Sequence, residues 1–351
     1  MSRVAGAVER TLAPIDSARG WVLRALGPLA RPFVVDRDLR VIAAGLALVV
    51  VALGLAIGVP LVWLLVAPVI WGVPHVAGDV RYLVARPGLH RHAPRALAVG
   101  AVLVASLVTA SPALGGLAIV AAALTSPAGR PGRRALAVAV GVALAVVVTV
   151  VGPVGAIAIA HVHHVVALGL WWLWRRRTAS HALVPLAVLA ATGLVFSGVF
   201  DPWLWRPNAL LATPAGVGLE HFERSLAPGG DPLQVGRWVA VFVFAQTLHY
   251  AVWLRLVPED DRPRPTPRTF VASWRALGVD LGAVGRAAVV VGTLAVALWA
   301  VADLVAARDG YLRLALFHGW LELAAATVFF VEARRPGPTG HDARRRPERA
   351  R

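Results

Sequence analysis

The chain contains no cysteine, a single methionine and only three tyrosines, and its basic residues include no lysine. Without cysteine there is no disulfide, no thiolate nucleophile and no sulfur-rich metal site. Charge is scarce too: 15% of the 351 residues are charged, where a soluble domain carries roughly 25%. Apolar residues fill the gap, at 58% of the sequence and a mean hydropathy of +0.69. That excess is too large for soluble domains, and disorder requires the opposite balance. The class that remains is an all-α, polytopic integral membrane protein. The net charge of +16, with all 35 basic residues arginine, suggests nucleic acid until its placement is read. Most arginines fall between apolar runs, so we assign them to membrane orientation against anionic headgroups, with no nucleic-acid partner.

Crossing a hydrocarbon layer of ~30 Å takes about 20 apolar residues. Ten spans are expected, near 41–58, 61–84, 95–111, 113–126, 134–151, 154–174, 181–199, 236–257, 285–305 and 311–332. Pro60, Pro112 and Pro153 mark three turns, and the turns around them carry no charge. The alternate turns hold Arg81, Arg86, Arg91 and Arg95, then Arg130, Arg133 and Arg134, then Arg175, Arg176 and Arg177. The segment from Arg255 to Arg275, the tail from Arg334 and seven arginines within residues 1–40 complete the same side. By the positive-inside rule both termini are cytoplasmic, in the cell (inner or plasma) membrane. Residues 1–40 lack the apolar stretch of a signal peptide, and 17–34 suit an amphipathic helix lying on the inner leaflet. Residues 41–333 form the transmembrane domain, with a long outer loop at 200–237 and a helix within it near 219–224. The tail 334–351 has the composition of disorder.

Ionisable residues inside spans cost a few kcal/mol each and mark function by default. His75 lies in the second span, His161, His163 and His164 in the sixth, His249 in the eighth, and His318 with Glu322 in the tenth. All four spans run inward, and counting about 1.5 Å per residue puts these groups in the middle of the bilayer. His161 and His164 are three apart, while His75 and Asp79, like His318 and Glu322, are four apart, so each pair shares a helix face. On this reading His75, His161, His164, His249 and His318 are metal ligands and Glu322 is a ligand or base. Asp79 orients His75, and Gln246 and Tyr250 position substrate, Gln246 also holding the second ring nitrogen of His249. His163 points elsewhere and is assigned either to supporting a ligand from behind or to packing. Histidine with carboxylate and no cysteine suits non-heme iron, with zinc or heme as alternatives. His90, His92, His181 and His341 read as solvated, and His221 as a loop residue that a re-entrant outer loop would bring to the site. Asp201, Glu220 and Asp303 read as interface residues. Simple hydrogen bonding of each histidine across helices is the competing account.

The element Pro74-His75-x-x-x-Asp79 resembles the Pro-His-Gly-x-x-Asp element of the bacteriorhodopsin-related-protein and beta-carotene dioxygenase family. Val76 stands where that family has glycine, and His318-x-x-x-Glu322 stands for its late paired histidines. The resemblance implies an oxygen-dependent membrane iron enzyme that cleaves a carotenoid, with His75 as an iron ligand. The expected activity is thus a metal-dependent oxidoreductase acting on a lipophilic substrate that enters between helices. A multi-span transporter or proton or metal carrier, and a b-type heme protein, are the readings from other classes. Topology is directly measurable: reporter fusions after Pro112 and within 205–230 should report the outer side, and those after Arg177 and Arg262 the inner side. A cytoplasmic signal from 205–230 would contradict the arrangement.

Overall fold

The structure, a computed structural model, describes residues 3–206, 213 and 215–337. Most of the expected tail, His341 included, lies outside the described residues, as do 207–212 and 214 of the long loop. Every regular element among the described residues is helical. The chain opens with α1 (Arg3–Leu26) and α2 (Arg31–Val35). There follow α3 (Arg37–Gly58), α4 (Pro60–Asp79), α5 (Ala93–Thr109), α6 (Pro112–Leu124), α7 (Pro131–Val151), α8 (Pro153–Trp174) and α9 (Leu183–Phe196). The second half comprises α10 (Asp201–Leu204), α11 (Leu219–Leu226), α12 (Pro232–Ala251), α13 (Val257–Asp260), α14 (Phe270–Ala302), α15 (Leu304–Leu314) and α16 (Phe317–Val331). Eight helical stretches are long and apolar enough to cross a membrane, among them Pro60–Ala85, Pro232–Asp260 and Leu304–Val331. The protein is therefore a multi-pass helical membrane bundle.

The third and fourth expected spans are the exceptions. They form the shorter apolar helices α5 and α6. At about 1.5 Å per residue, the 13 residues of α6 fall well short of a full crossing. The two are consecutive, so the direction of every later helix is the same whether or not they cross as a pair. Proline sits at the first or second position of α4, α5, α6, α7, α8 and α12, where its missing N–H costs nothing.

The charged residues report on that direction. Arg40, at the start of α3, pairs with Glu259 at 2.6 Å, and Arg86, just past α4, pairs with Asp261 at 2.6 Å. Arg95 at the start of α5 pairs with Glu332 after α16 at 3.0 Å. Arg175 and Arg177, after α8, hold Asp260 at 2.5 and 2.7 Å. Arg81 meets Asp280 of α14 at 2.7 Å. These helix ends, starts of some and finishes of others, are tied together at one end of the bundle. Arg237–Asp201 and His221–Asp309 lie at segment ends of the opposite sense, at 2.6 and 3.5 Å. Much of the basic charge is thus neutralised by buried carboxylates within the protein. Removing one member of such a pair strands a charge, which costs about 3–5 kcal/mol.

Three local expectations are corrected. The N-terminal helix starts at Arg3, and α1 docks on α14: the Asp16 carboxylate accepts the backbone N–H groups of Phe270 and Val271 at 2.7 and 3.0 Å. His181 is not solvated but fully buried, capped by the Thr178 hydroxyl at 2.8 Å and beside Arg175 at 3.1 Å. His92 is half-buried, whereas His90 is exposed as expected. Among the expected interface residues, Asp201 is engaged by Arg237, Glu220 is exposed, and Asp303 is exposed and caps α15 through the Ala306 N–H at 2.9 Å.

Close packing in a membrane relies on small residues, because lipid gives no hydrophobic drive between helices. Gly116 of α6 and Gly141 of α7 meet backbone to backbone. A Cβ at Gly116 would stand 2.8 Å from Ala145 N and 2.9 Å from Gly141 O, and backbone cannot yield as a side chain can. Gly116→Leu should cost about 1–3 kcal/mol through overpacking and lower the thermal midpoint of the purified protein. Gly100→Leu, at a position with nothing within 4 Å, should leave the midpoint unchanged.

Candidate metal centre

Four helices bring imidazoles to the middle of the bundle, three of them beside a backbone irregularity, while α8 carries His163 and His164 on an unbroken helix. Pro74 interrupts α4 one residue before His75. The α4 hydrogen-bonding pattern then gives way to a π-turn over Val80–Ala85 directly after Asp79. A second π-turn over Val252–Leu256 follows His249 and Tyr250. The tenth expected span is broken between α15 and α16, immediately before His318. Single π-turns and helix breaks of this kind cluster at functional sites, because they turn side chains off the regular 3.6-residue register. The two π-regions also abut: a Cβ at Gly78 would lie 3.2 Å from Trp253 O.

Two backbone carbonyls fix ring tautomers. His75 Nδ1 lies 3.1 Å from Trp71 O, and His318 Nδ1 lies 2.5 Å from Ala315 O at the α15–α16 break. A carbonyl only accepts, so both Nδ1 atoms carry the proton and both Nε2 atoms keep a lone pair. His75 Nε2 is buried with no hydrogen-bond partner, as are both nitrogens of His249 and both oxygens of Asp79. These groups face one another. The donor atoms of His75, Asp79, His249 and His318 all lie within 4.8 Å of one another. The ring centroids of His75 stand 5.3 Å from His249 and 5.0 Å from His318. A second set, His163, His164 and His249, meets the same limit and shares His249 with the first.

The sequence expectations divide. His75, His249 and His318 come together as read, and His164 joins through His249. His161 does not. It turns to the long 200–237 loop, donating Nε2–H to Leu226 O at 2.9 Å and packing against Trp238 and Phe242. His163, assigned above to a supporting or packing role, takes its place, with its ring 5.1 Å from His318 and 5.0 Å from His249. Asp79 does not orient His75, because the Trp71 carbonyl holds that ring; its own carboxylate faces the imidazoles instead. Gln246 is buried, but its Oε1 has no partner and neither nitrogen of His249 is engaged. Tyr250 stacks at 4.5 Å from the His75 ring. Glu322 is fully buried, with Oε1 accepting from Trp253 Nε1 at 2.7 Å and lying 3.4 Å from His249 Nε2.

Trp253 was legible in principle, since it lies four residues beyond His249 and so on the same face. Gly72 is a second unread contributor: a Cβ there would overlap the Tyr311 ring, whose hydroxyl is buried and unpaired. Beside the imidazoles lies a cavity of about 520 Å³, lined by His75, His163, His164, His249, His318, Gln246 and Tyr250. Its remaining wall is largely apolar, with Ile159, Phe242, Leu312 and Leu316, and His221, Arg308 and Asp309 stand at its polar edge. The long 200–237 loop thus brings His221 to the cavity edge, away from both donor sets.

The donor set is nitrogen and oxygen with a geometry that converges on a point. Neutral imidazole and carboxylate suit iron or zinc, whereas simple cross-helix hydrogen bonding would leave no lone pairs facing one another. Compared with protein-family models, with curated proteins and with solved structures, the chain matches none.

Proposed function

We propose that this protein is an integral membrane oxidoreductase that holds non-heme iron through its intramembrane histidines and acts on a lipophilic substrate. One observation carries the reading: three imidazoles and a carboxylate from three helical segments converge within 4.8 Å, deep in an apolar bundle. Among them, His75 Nε2, both His249 nitrogens and both Asp79 oxygens have no hydrogen-bond partner. Unpaired buried polar atoms are costly, and five of them aimed at one place are explained together by a bound cation.

In this reading His75, His249 and His318 are ligands with Asp79, while His163 and His164 either complete the set or hold a second ion through His249. Iron held there would supply a redox centre for O2 chemistry. The chain's own residues do the rest. The Trp71 and Ala315 carbonyls fix the ligating tautomers, and Trp253 holds Glu322 beside His249 as a proton acceptor. Tyr250, Gln246 and the apolar wall of Ile159, Phe242 and Leu312 position an apolar substrate and exclude water. The resemblance at Pro74-His75-x-x-x-Asp79 narrows the chemistry to cleavage of a polyene. There one C=C bond breaks and the two atoms of O2 become the two carbonyl oxygens, with no external reductant required. For topology we infer ten membrane-inserted helices with both termini on the cytoplasmic side, on the strength of the alternating arginine turns and the ion pairs that tie their helix ends together.

Elemental analysis and an optical spectrum of the purified full-length protein test the reading. Stoichiometric iron without a Soret band is expected. His249→Ala should weaken metal binding by more than the about 10–100-fold that outer hydrogen-bonding partners contribute, and His161→Ala should leave the metal in place. A Soret band, or purified protein free of metal, would overturn the proposal.

A further inference from the structure

A second cavity, of about 510 Å³, lies at the basic end of the bundle, between α1, α4, α14 and the π-turn at Val252–Leu256. Its two surfaces differ in chemistry. One wall is apolar, built from Pro74, Ala77, Trp253, Leu254, Leu277 and Val289. The other carries five arginines, Arg19, Arg81, Arg255, Arg262 and Arg268, against one carboxylate, Glu259.

That carboxylate is already committed. Glu259 pairs with Arg40 and with Arg255, each at 2.6 Å, and with Arg262. Arg81 is taken by Asp280 at 2.7 Å, and Arg19 donates to Arg268 O at 2.7 Å. Arg268 has no acidic partner among the described residues. Arg262 is only 8% exposed, yet its Nε finds no acceptor. Burial and the neighbouring Arg40, Arg255, Arg268 and Arg37 pull Arg262 down to about 9, the mark of a cation short of counter-charge. Trp274 adds a second buried donor, Nε1, without a partner. The polar surface therefore offers donors and positive charge with one shared acceptor, next to a wall that water does not favour.

We propose that this cavity binds a phosphate group, with Arg262, Arg268 and the Trp274 N–H as its donors and the apolar wall covering an attached acyl chain, so that an anionic phospholipid is the ligand. Arginine's fork of donors matches phosphate oxygens. The place also matches, because the arginine-rich end is the one that faces an anionic leaflet under the positive-inside rule. The cavity is separate from the histidine cluster, although both touch α4: Pro74 and Ala77 line this one, and His75 lines the other.

Native mass spectrometry of the full-length protein, released from micelles doped with phosphatidylglycerol or with phosphatidylcholine, tests the assignment. One tightly retained phosphatidylglycerol per chain is expected, with no comparable retention of phosphatidylcholine. Arg268→Gln and Arg262→Gln should each weaken retention about tenfold, the loss of one charge-assisted hydrogen bond. Arg176→Gln, at an exposed arginine of the same end, should not change it. Because Arg262 is buried, Arg268→Gln decides the matter if the Arg262 variant does not fold. A parallel arm with inorganic phosphate separates the sources. Thermal stabilisation by phosphatidylglycerol and not by phosphate supports the lipid, whereas stabilisation by phosphate alone would overturn the lipid assignment. Equal retention of both lipids, or equal loss in the Arg176 and Arg268 variants, would overturn the site.

Discussion

An imidazole inside an apolar bundle has one N–H and one lone pair, and each is costly to leave unmet. In α4 the Trp71 carbonyl, one turn back, receives the His75 ring, and at the α15–α16 break Ala315 O accepts both the backbone and the ring N–H of His318. With the protons placed on Nδ1, the Nε2 lone pairs point inward. The π-turns come after Asp79 and after Tyr250, and one of them places Trp253 on Glu322.

The rest of the architecture keeps these irregular segments aligned. Arg40, Arg86, Arg95, Arg175 and Arg177 reach acids on other helices and lock one end of the bundle. α14 joins the same end through Asp280, which meets Arg81 and Arg86 at 2.7 and 3.2 Å. One core cluster gathers α8, α16 and the two π-turns around Trp171, Trp174, Trp253 and Trp320, and a second gathers α4 and α12 around Leu61, Leu64, Leu65, Val243 and Phe244. The imidazoles are carried by α4, α8, α12 and α16, which the two clusters include between them. An ordered ionic end and an aromatic core set the helix registers, and the registers set the site.

Much of this was readable beforehand, because a membrane punishes misplacement. Apolar runs located most of the long apolar helices within a few residues, although α14 begins at Phe270 where a span was expected from 285. The depth count placed His75, His249 and, about a turn earlier, His318 in the middle portion of the bilayer, where the structure gathers them. What failed did so where the reading assumed ideal periodicity. The three-residue spacing of His161 and His164 gave no hint that Leu226, from a loop about 65 positions on, would claim His161. With that ring removed, the His163–His164 pair faces the cluster. The pairing of His75 and Asp79 on one face was right as geometry, but the nearer Trp71 carbonyl wins the ring proton. Arginines read as headgroup contacts proved to have acidic partners distant in sequence, and only the fold could reveal them. The short α6 shows the limit of a hydropathy window: 13 residues look like most of a span and fall short of one.

The central claim is that histidines from separate helices share a metal ion, and X-ray absorption at the iron edge of the purified protein tests it most directly. The account predicts a nitrogen and oxygen shell at about 2.0–2.2 Å followed by the outer-shell scattering of several imidazole rings. An oxygen-only shell without imidazole scattering, or the pattern of a porphyrin, would contradict it.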